Sequence, residues 1–152
     1  MLPLFIAVTI ALADQFTKFL IMKNFVLHDS VTIIPGLFDL RYIRNTGAAW
    51  GIFAGGHLWL ALLSVVMLAL LVIFRKSFLS DSLIDRICMG IIAGGIIGNL
   101  IDRVKLQYVV DFLDFYWRDH HFPAFNIADS AICVGVFLYI ISQIVTARKA
   151  AH

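Results

Sequence analysis

The chain has 152 residues, 61% of them hydrophobic, with a mean hydropathy of +0.92 and a formal net charge of +2. Soluble domains are about 45–50% apolar, so this composition excludes a water-soluble globule and describes a single integral membrane domain over residues 1–152. The charge is too small, and too scattered among apolar runs, for a nucleic-acid partner.

Crossing about 30 Å of hydrocarbon takes about 20 apolar residues. Four runs qualify, at residues 2–22, 57–74, 83–101 and 127–146. The expected fold is therefore an all-α membrane protein of four transmembrane helices. The first run has no basic segment ahead of it and no small-residue cleavage site after it, and reads as a retained anchor. Four spans put both termini on one side and the loops 23–56 and 102–126 on the other. Arg75, Lys76, Arg86, Arg148 and Lys149 flank the short connection and the tail, whereas the six cations of the two long loops are spread over a greater length. The positive-inside rule then favours cytoplasmic termini and long loops facing outward.

Within the first run, Asp14 and Lys18 lie four residues apart on one helical face and can pair. Two readings stand: an ion pair that orients the helix, or a polar support beneath a site. A charge left alone near hydrocarbon is costly, so the pair has a task in either case. The first long loop changes pattern. VTIIPGLFDLRYIRN (31–45) is rich in β-branched and aromatic residues with a Pro35-Gly36 turn, and predicts a small outward β-region between the first two helices. NTGAAWGIF (45–53) follows. Asn45, Gly47 and the alanines suit a tight turn near a ligand, and Trp50, Phe53 and Trp59 suit the membrane interface.

The second run has Ser64 as its only hydroxyl and reads as lipid-facing packing. The third carries Gly90, Gly94 and Gly98 at intervals of four, a stripe that admits a close helix neighbour or leaves room for a substrate helix. Cys88 and Cys133 sit inside apolar runs with no metal or redox spacing, and read as small fillers.

Chemistry concentrates between residues 94 and 130. All ten acidic side chains are aspartates, so carboxylate chemistry falls to Asp. In GGIIGNLIDRV (94–104), Asn99, Asp102 and Arg103 share a face if the helix runs on. VVDFLDF (109–115) sets Asp111 and Asp114 among Val and Phe, and FNIADS (125–130) opens the last run with Asn126 and Asp129. From spacing alone, Asp102, Asp111 and Asp114 are equal candidates to partner Asp129.

The ordered set D-Q-x-x-K (14–18), N-T-G-A-A-W (45–50), G-N-L-I-D-R (98–103), V-V-D-F (109–112) and F-N-I-A-D-S (125–130) is similar to lipoprotein signal peptidase, the signal peptidase II family, over nearly the whole chain. The resemblance implies a metal-free, cofactor-free aspartic endopeptidase of the bacterial inner membrane. It implies a site towards the outer side and removal of the signal peptide from diacylglyceryl-modified prolipoproteins at the lipid-modified cysteine. Carried over by residue, the catalytic pair matches Asp111 and Asp129, and Asn45, Asn99, Arg103 and Asn126 match substrate-binding positions. Asp14, Lys18, Asp102, Gly47 and Trp50 match supporting positions. The implied partners are the prolipoprotein, membrane lipid and the cyclic peptide inhibitor globomycin.

Rival chemistries find less in the residues. There is no G-x-S-x-G, no H-E-x-x-H and no glutamate. A proton- or ion-coupled transporter also uses intramembrane Asp, Asn and Arg, but needs polar residues through the depth of the bundle. A non-catalytic assembly partner would leave the paired Asp boxes unexplained.

Overall fold

The structure, a computed structural model, describes residues 1–47, 55–78 and 82–150. Its helices are α1 (Leu2–Asn24), α2 (His57–Ile73), the single turn α3 (Arg75–Phe78), α4 (Leu83–Lys105) and α5 (Ile127–Ala150). Three of them, α1, α4 and α5, are long and apolar enough to cross a membrane. The second expected span, α2, is apolar but has 17 residues. Pro3 sits in the first turn of α1, where a missing N–H costs nothing, and no proline interrupts a helix interior. Lys23 and the pair Arg103 and Lys105 close α1 and α4 with positive charge against the carbonyl end of the dipole.

The all-α expectation needs correction. The strands β1 (Ser30–Ile34), β2 (Phe38–Asn45), β3 (Val109–Trp117) and β4 (His120–His121) form one antiparallel sheet in the order β1-β2-β3-β4. The β-region thus draws on both long loops, not only the one between the first two spans. VVDFLDFYW is a β-branched and aromatic run, and it pairs with the first loop, in chain terms far away. The segment expected as a loop from 102 to 126 is mostly regular: α4 continues to Lys105, and Gln107 at φ 67 turns the chain straight into β3. Gly36, at φ 79, makes the predicted turn between β1 and β2.

Strand parity sorts the residues of the sheet. Ile43 is paired with Asp111 and Arg44 with Val110. Asn45 therefore shares a face with Asp111, while Tyr42 and Arg44 share the other. That second face rests on the C-terminal end of α1: Ile21, Tyr42, Val110 and Phe112 form a buried cluster with Phe25, Leu106 and Tyr108 around it.

The glycine stripe is a packing surface. A Cβ at Gly90 would lie 2.7 Å from Pro3 O, and one at Gly94 would lie 2.7 Å from both Ala7 O and Ile10 Cβ. A Cβ at Gly98 would lie 2.6 Å from Asp14 Oδ2, and Gly95 packs on Ala128 and Ile132 of α5. The face is occupied by α1, so the alternative of a vacant groove for a substrate helix does not hold. Backbone approach of this kind brings the polar residues of α1, α4 and α5 within reach of one another.

Candidate active site

The C-terminal parts of α1 and α4 and the start of α5 meet β3 in one polar network. Lys18 is its centre and is only 1% exposed. Its ammonium lies 2.9 Å from Asp14 Oδ2 and 3.0 Å from Asp102 Oδ2, and donates to Asn99 Oδ1 over 2.9 Å. Two carboxylates and an amide surround one cation, which is how a buried charge is tolerated. Asp14 and Lys18 do pair as their spacing predicts, but as half of a larger cluster. Asp102 is more than a helix cap. Its Oδ2 also accepts the Val110 N–H at 3.0 Å, and its Oδ1 accepts Gln15 Nε2 at 2.8 Å, so it ties α4 to β3 and α1.

The start of α5 is built from the FNIADS box. Asn126 Oδ1 accepts the Asp129 N–H at 3.0 Å, and Asp129 Oδ2 accepts the Asn126 N–H at 3.2 Å. This is a reciprocal capping box, with Asn and Asp in the usual Ser and Glu roles. A further first-turn donor, the Ala128 N–H, is satisfied from outside the helix by Asp14 Oδ1 at 2.9 Å. The other oxygen of Asp129, Oδ1, accepts Asn99 Nδ2 at 2.7 Å.

Asp111 reaches the same place from β3. Its Oδ1 accepts Asn126 Nδ2 at 2.7 Å and its Oδ2 accepts Asn45 Nδ2 at 2.8 Å. Asn45 Oδ1 in turn accepts the Gly47 N–H at 2.9 Å, the tight turn expected from NTG. The Asp111 carboxyl is pushed up to about 7, first by burial and then by the charge of Asp129, against the lowering effect of its two amide donors and of Lys18. Desolvation and a like charge outweigh both hydrogen bonds here.

Asp111, Asp129, Asn45, Gly47 and Arg103 line a cavity of about 370 Å³. Asn99, Asn126, Lys18, Asp14 and Asp102 lie behind them, and Trp50 falls outside the described residues. The Arg103 guanidinium makes no hydrogen bond among the described residues, and the negative charges acting on it are those of Asp129, Asp111 and Asp102. Asp114, three residues from Asp111 and hence on the other side of β3, is engaged elsewhere: its Oδ1 lies 2.9 Å from His121 Nδ1 and its Oδ2 lies 3.6 Å from Arg41 Nη1.

Several lining residues were not singled out from sequence. Phe122, Pro123, Ala124 and Phe125 form one wall, and Ser130, Ile132 and Cys133 of α5 form another. The wall is braced by ring contacts running from Phe38 to Phe115, Phe125 and Phe122. Ring-rich sequence beside a box was the only available signal for it. Cys133, read as a filler, is exposed on the cavity side of α5. The transporter reading loses its footing in the described residues. A second buried polar group, Asp85 with Ser142 and Gln143, lies at the far end of α4, but residues 87–98 between it and the network are apolar or glycine, and Ser64 of α2 donates to its own helix at Leu60 O.

Comparison with known proteins bears on the chain as a whole. The family model described as signal peptidase (SPase) II matches residues 6–145. The lipoprotein signal peptidase of Syntrophotalea carbinolica is 43% identical over 143 residues, covering 92% of this chain and 89% of that protein. That of Symbiobacterium thermophilum is 38% identical over 149 residues, with 98% of each chain covered. A solved bacterial membrane enzyme superposes with a TM-score of 0.87 at 35% identity, over 95% of this chain and 88% of that one. A second gives 0.82 at 36% identity, over 93% and 91%. A match of this length in sequence, carried through to the same backbone, leaves one conclusion about descent: the chain belongs to the signal peptidase II family.

Proposed function

We propose that the chain is an aspartic endopeptidase of the bacterial inner membrane that removes the signal peptide from diacylglyceryl-modified prolipoproteins. It cuts on the N-terminal side of the lipid-modified cysteine, and Asp111 and Asp129 are its catalytic pair. One observation carries the reading: two carboxylates from different elements border a single cavity, each with both oxygens held by amide donors.

The chemistry follows from their unequal settings. In this reading Asp111, whose carboxyl is pushed up to about 7 by burial and the charge of Asp129, supplies the proton of the pair, and Asp129 acts in its ionised form. Asp129 takes a proton from a water whose oxygen attacks the scissile carbonyl carbon. Asp111 donates its proton towards the carbonyl oxygen as negative charge gathers there. The tetrahedral intermediate then collapses, the C–N bond breaks, and the cysteine α-amino group leaves with the proton that Asp129 holds. Asp111 recovers its own proton from the intermediate's hydroxyl. The pair ends as it began, and titrates as a unit. Arg103 and Asn45 face the substrate backbone and the developing oxyanion.

The apolar run of α2, 17 residues or about 26 Å, is the fourth span, short by a turn of the usual thickness. Four crossings put both termini on one side, and the cations packed around the short connection and the tail make that side cytoplasmic, with the site outward at the level of the lipid headgroups. Globomycin competes with substrate for the same cavity. The test is cleavage by the purified chain in detergent with a chelator present, using lipid-modified prolipoprotein and the same precursor without lipid. Only the modified form is cut, and Asp129→Asn cuts neither. A folded sample that cuts nothing, or one silenced by the chelator, overturns the proposal.

A further inference from the structure

Arg44 stands next to Asn45 in β2 but on the opposite face of the strand, away from Asp111 and the cavity. It is exposed, and yet it is held in place. Its guanidinium carbon lies 4.9 Å from the centre of the Tyr108 ring and 5.6 Å from that of Tyr42, and its Nε donates to the Tyr42 hydroxyl over 3.1 Å. Two aromatic contacts and one hydrogen bond fix a side chain that is otherwise among the most mobile.

That fixation uses only Nε. Among the described residues, Arg44 has no carboxylate within 4 Å, unlike Arg41, which leans on Asp114. The carboxylate in the neighbouring turn, Asp29, is engaged by the Val26 N–H at 2.9 Å. An arginine with its two terminal nitrogens open to solvent and its plane preset is arranged to receive a planar or tetrahedral oxyanion.

The depth of Arg44 identifies that oxyanion. Tyr42 packs on Ile21 in the last turns of α1, and Tyr108 follows the end of α4 by three residues. Both helices are membrane-spanning by length and composition. Their final turns carry the exposed cations Lys23 and Lys105, and the Lys23 ammonium lies 6.0 Å from the centre of the Phe19 ring below it. Phe16, Phe19 and Leu20 of α1 are exposed beneath that level, as suits acyl chains. The partly exposed Tyr108, with these cations above an apolar flank, matches the interface belt of a bilayer.

We propose that this end of α1 and α4 is a phospholipid site, in which Arg44, clamped by Tyr42 and Tyr108, grips the headgroup phosphate while the acyl chains lie along α1. Lys23 and Lys105 supply the surrounding positive field. The site favours anionic lipid, with each such cation contributing about a fivefold gain in binding. It is separate from the peptidase cavity, and depends only on the membrane placement of the helices.

The test uses the full chain in a neutral maltoside detergent, with dioleoyl phosphatidylglycerol or dioleoylglycerol added, and bound lipid counted by native mass spectrometry. Wild type retains phosphatidylglycerol, and Arg44→Gln binds it about fivefold more weakly. Dioleoylglycerol binds both proteins equally. Tyr108→Leu leaves the charge but removes the clamp, and weakens phosphatidylglycerol binding too; it carries the comparison if Arg44→Gln does not fold. Equal retention of phosphatidylglycerol by wild type and a folded Arg44→Gln overturns the site. Displacement of the lipid by millimolar inorganic phosphate overturns its assignment to lipid, because a free anion would then suffice.

Discussion

Lys18 donates to Asn99 Oδ1 over 2.9 Å, and Asn99 passes its own amide hydrogen on to Asp129 Oδ1 over 2.7 Å. A cation buried in α1 thereby fixes which way an α4 amide points, and the amide fixes a carboxylate of α5. Lys18→Met breaks this at its source and leaves Asp14 and Asp102 facing each other without a counter-charge. Removing one member of a buried ionic cluster costs about 3–5 kcal/mol. The variant is expected to lose several degrees or more of thermal stability in detergent, and cleavage with it. Unfolding followed by tryptophan fluorescence checks the first, and a wild-type melting curve would refute it.

In the proposed mechanism Asp111→Asn and Asp129→Asn each remove a proton-transfer group, and each is expected to lower cleavage at least about a hundredfold, with the protein still inserted and folded. Asp114→Asn disturbs the contact with His121 and Arg41 on the far side of β3, and is expected to stay within about tenfold of wild type. Single-turnover cleavage of lipid-modified precursor separates these cases. A loss for Asp114→Asn as deep as that for Asp111→Asn would identify the wrong partner for Asp129.

The choice between those two aspartates marks how far the sequence reads. Apolar runs give the helices to within a few residues, because burial in lipid leaves a long, uniform signal. Asp14 with Lys18 is legible because helical spacing is local. The partners of Lys18 on α4 are not, since they depend on how closely Gly94 and Gly98 let two backbones approach. Nor is the pairing of β2 with β3, which joins residues far apart in the chain. Once that register exists, Asn45 and Asp111 fall on one face and Asp114 on the other, and the choice becomes a matter of parity. Before it exists, V-V-D-F-L-D-F offers two similar carboxylates.

Gly94→Leu tests the approach itself. Its new side chain begins 2.7 Å from Ala7 O, where backbone cannot yield, so α1 must move away from α4. Overpacking costs about 1–3 kcal/mol, and here it also lengthens the Lys18 contacts to Asn99 and Asp102. The expected result is lower stability together with a lower kcat. Unchanged turnover in a destabilised Gly94→Leu would show that the contacts tolerate the shift.

Asn45 holds Asp111 Oδ2 through a hydrogen bond that lowers the carboxyl's pKa. The proposed mechanism needs Asp111 protonated, so cleavage is expected to fall as pH rises through about 7, the value to which burial and Asp129 raise it. Asn45→Ala removes a lowering influence. Its alkaline limb should therefore move to higher pH, even though its maximal rate is reduced. A kcat profile from pH 5 to 9 on both proteins decides it, and a limb that stays fixed or moves down would detach Asn45 from Asp111.

The same raised carboxyl predicts a cost in stability. Asp111 ionises near 7 when folded and near the ordinary 3.8 when unfolded, so the folded chain binds its proton more tightly. Its contribution to stability is fully present below about 3.8 and is lost as pH rises through about 7. Asp111→Asn has the shape of the protonated acid and cannot ionise. Its melting temperature is expected to match wild type under acid conditions and to exceed it at pH 8, where wild type carries the buried charge beside Asp129. Parallel melting curves for the two proteins between pH 4 and 9 measure the difference. A gap that stays constant with pH would mean that Asp111 titrates near its unfolded value and is not the proton-holding member of the pair.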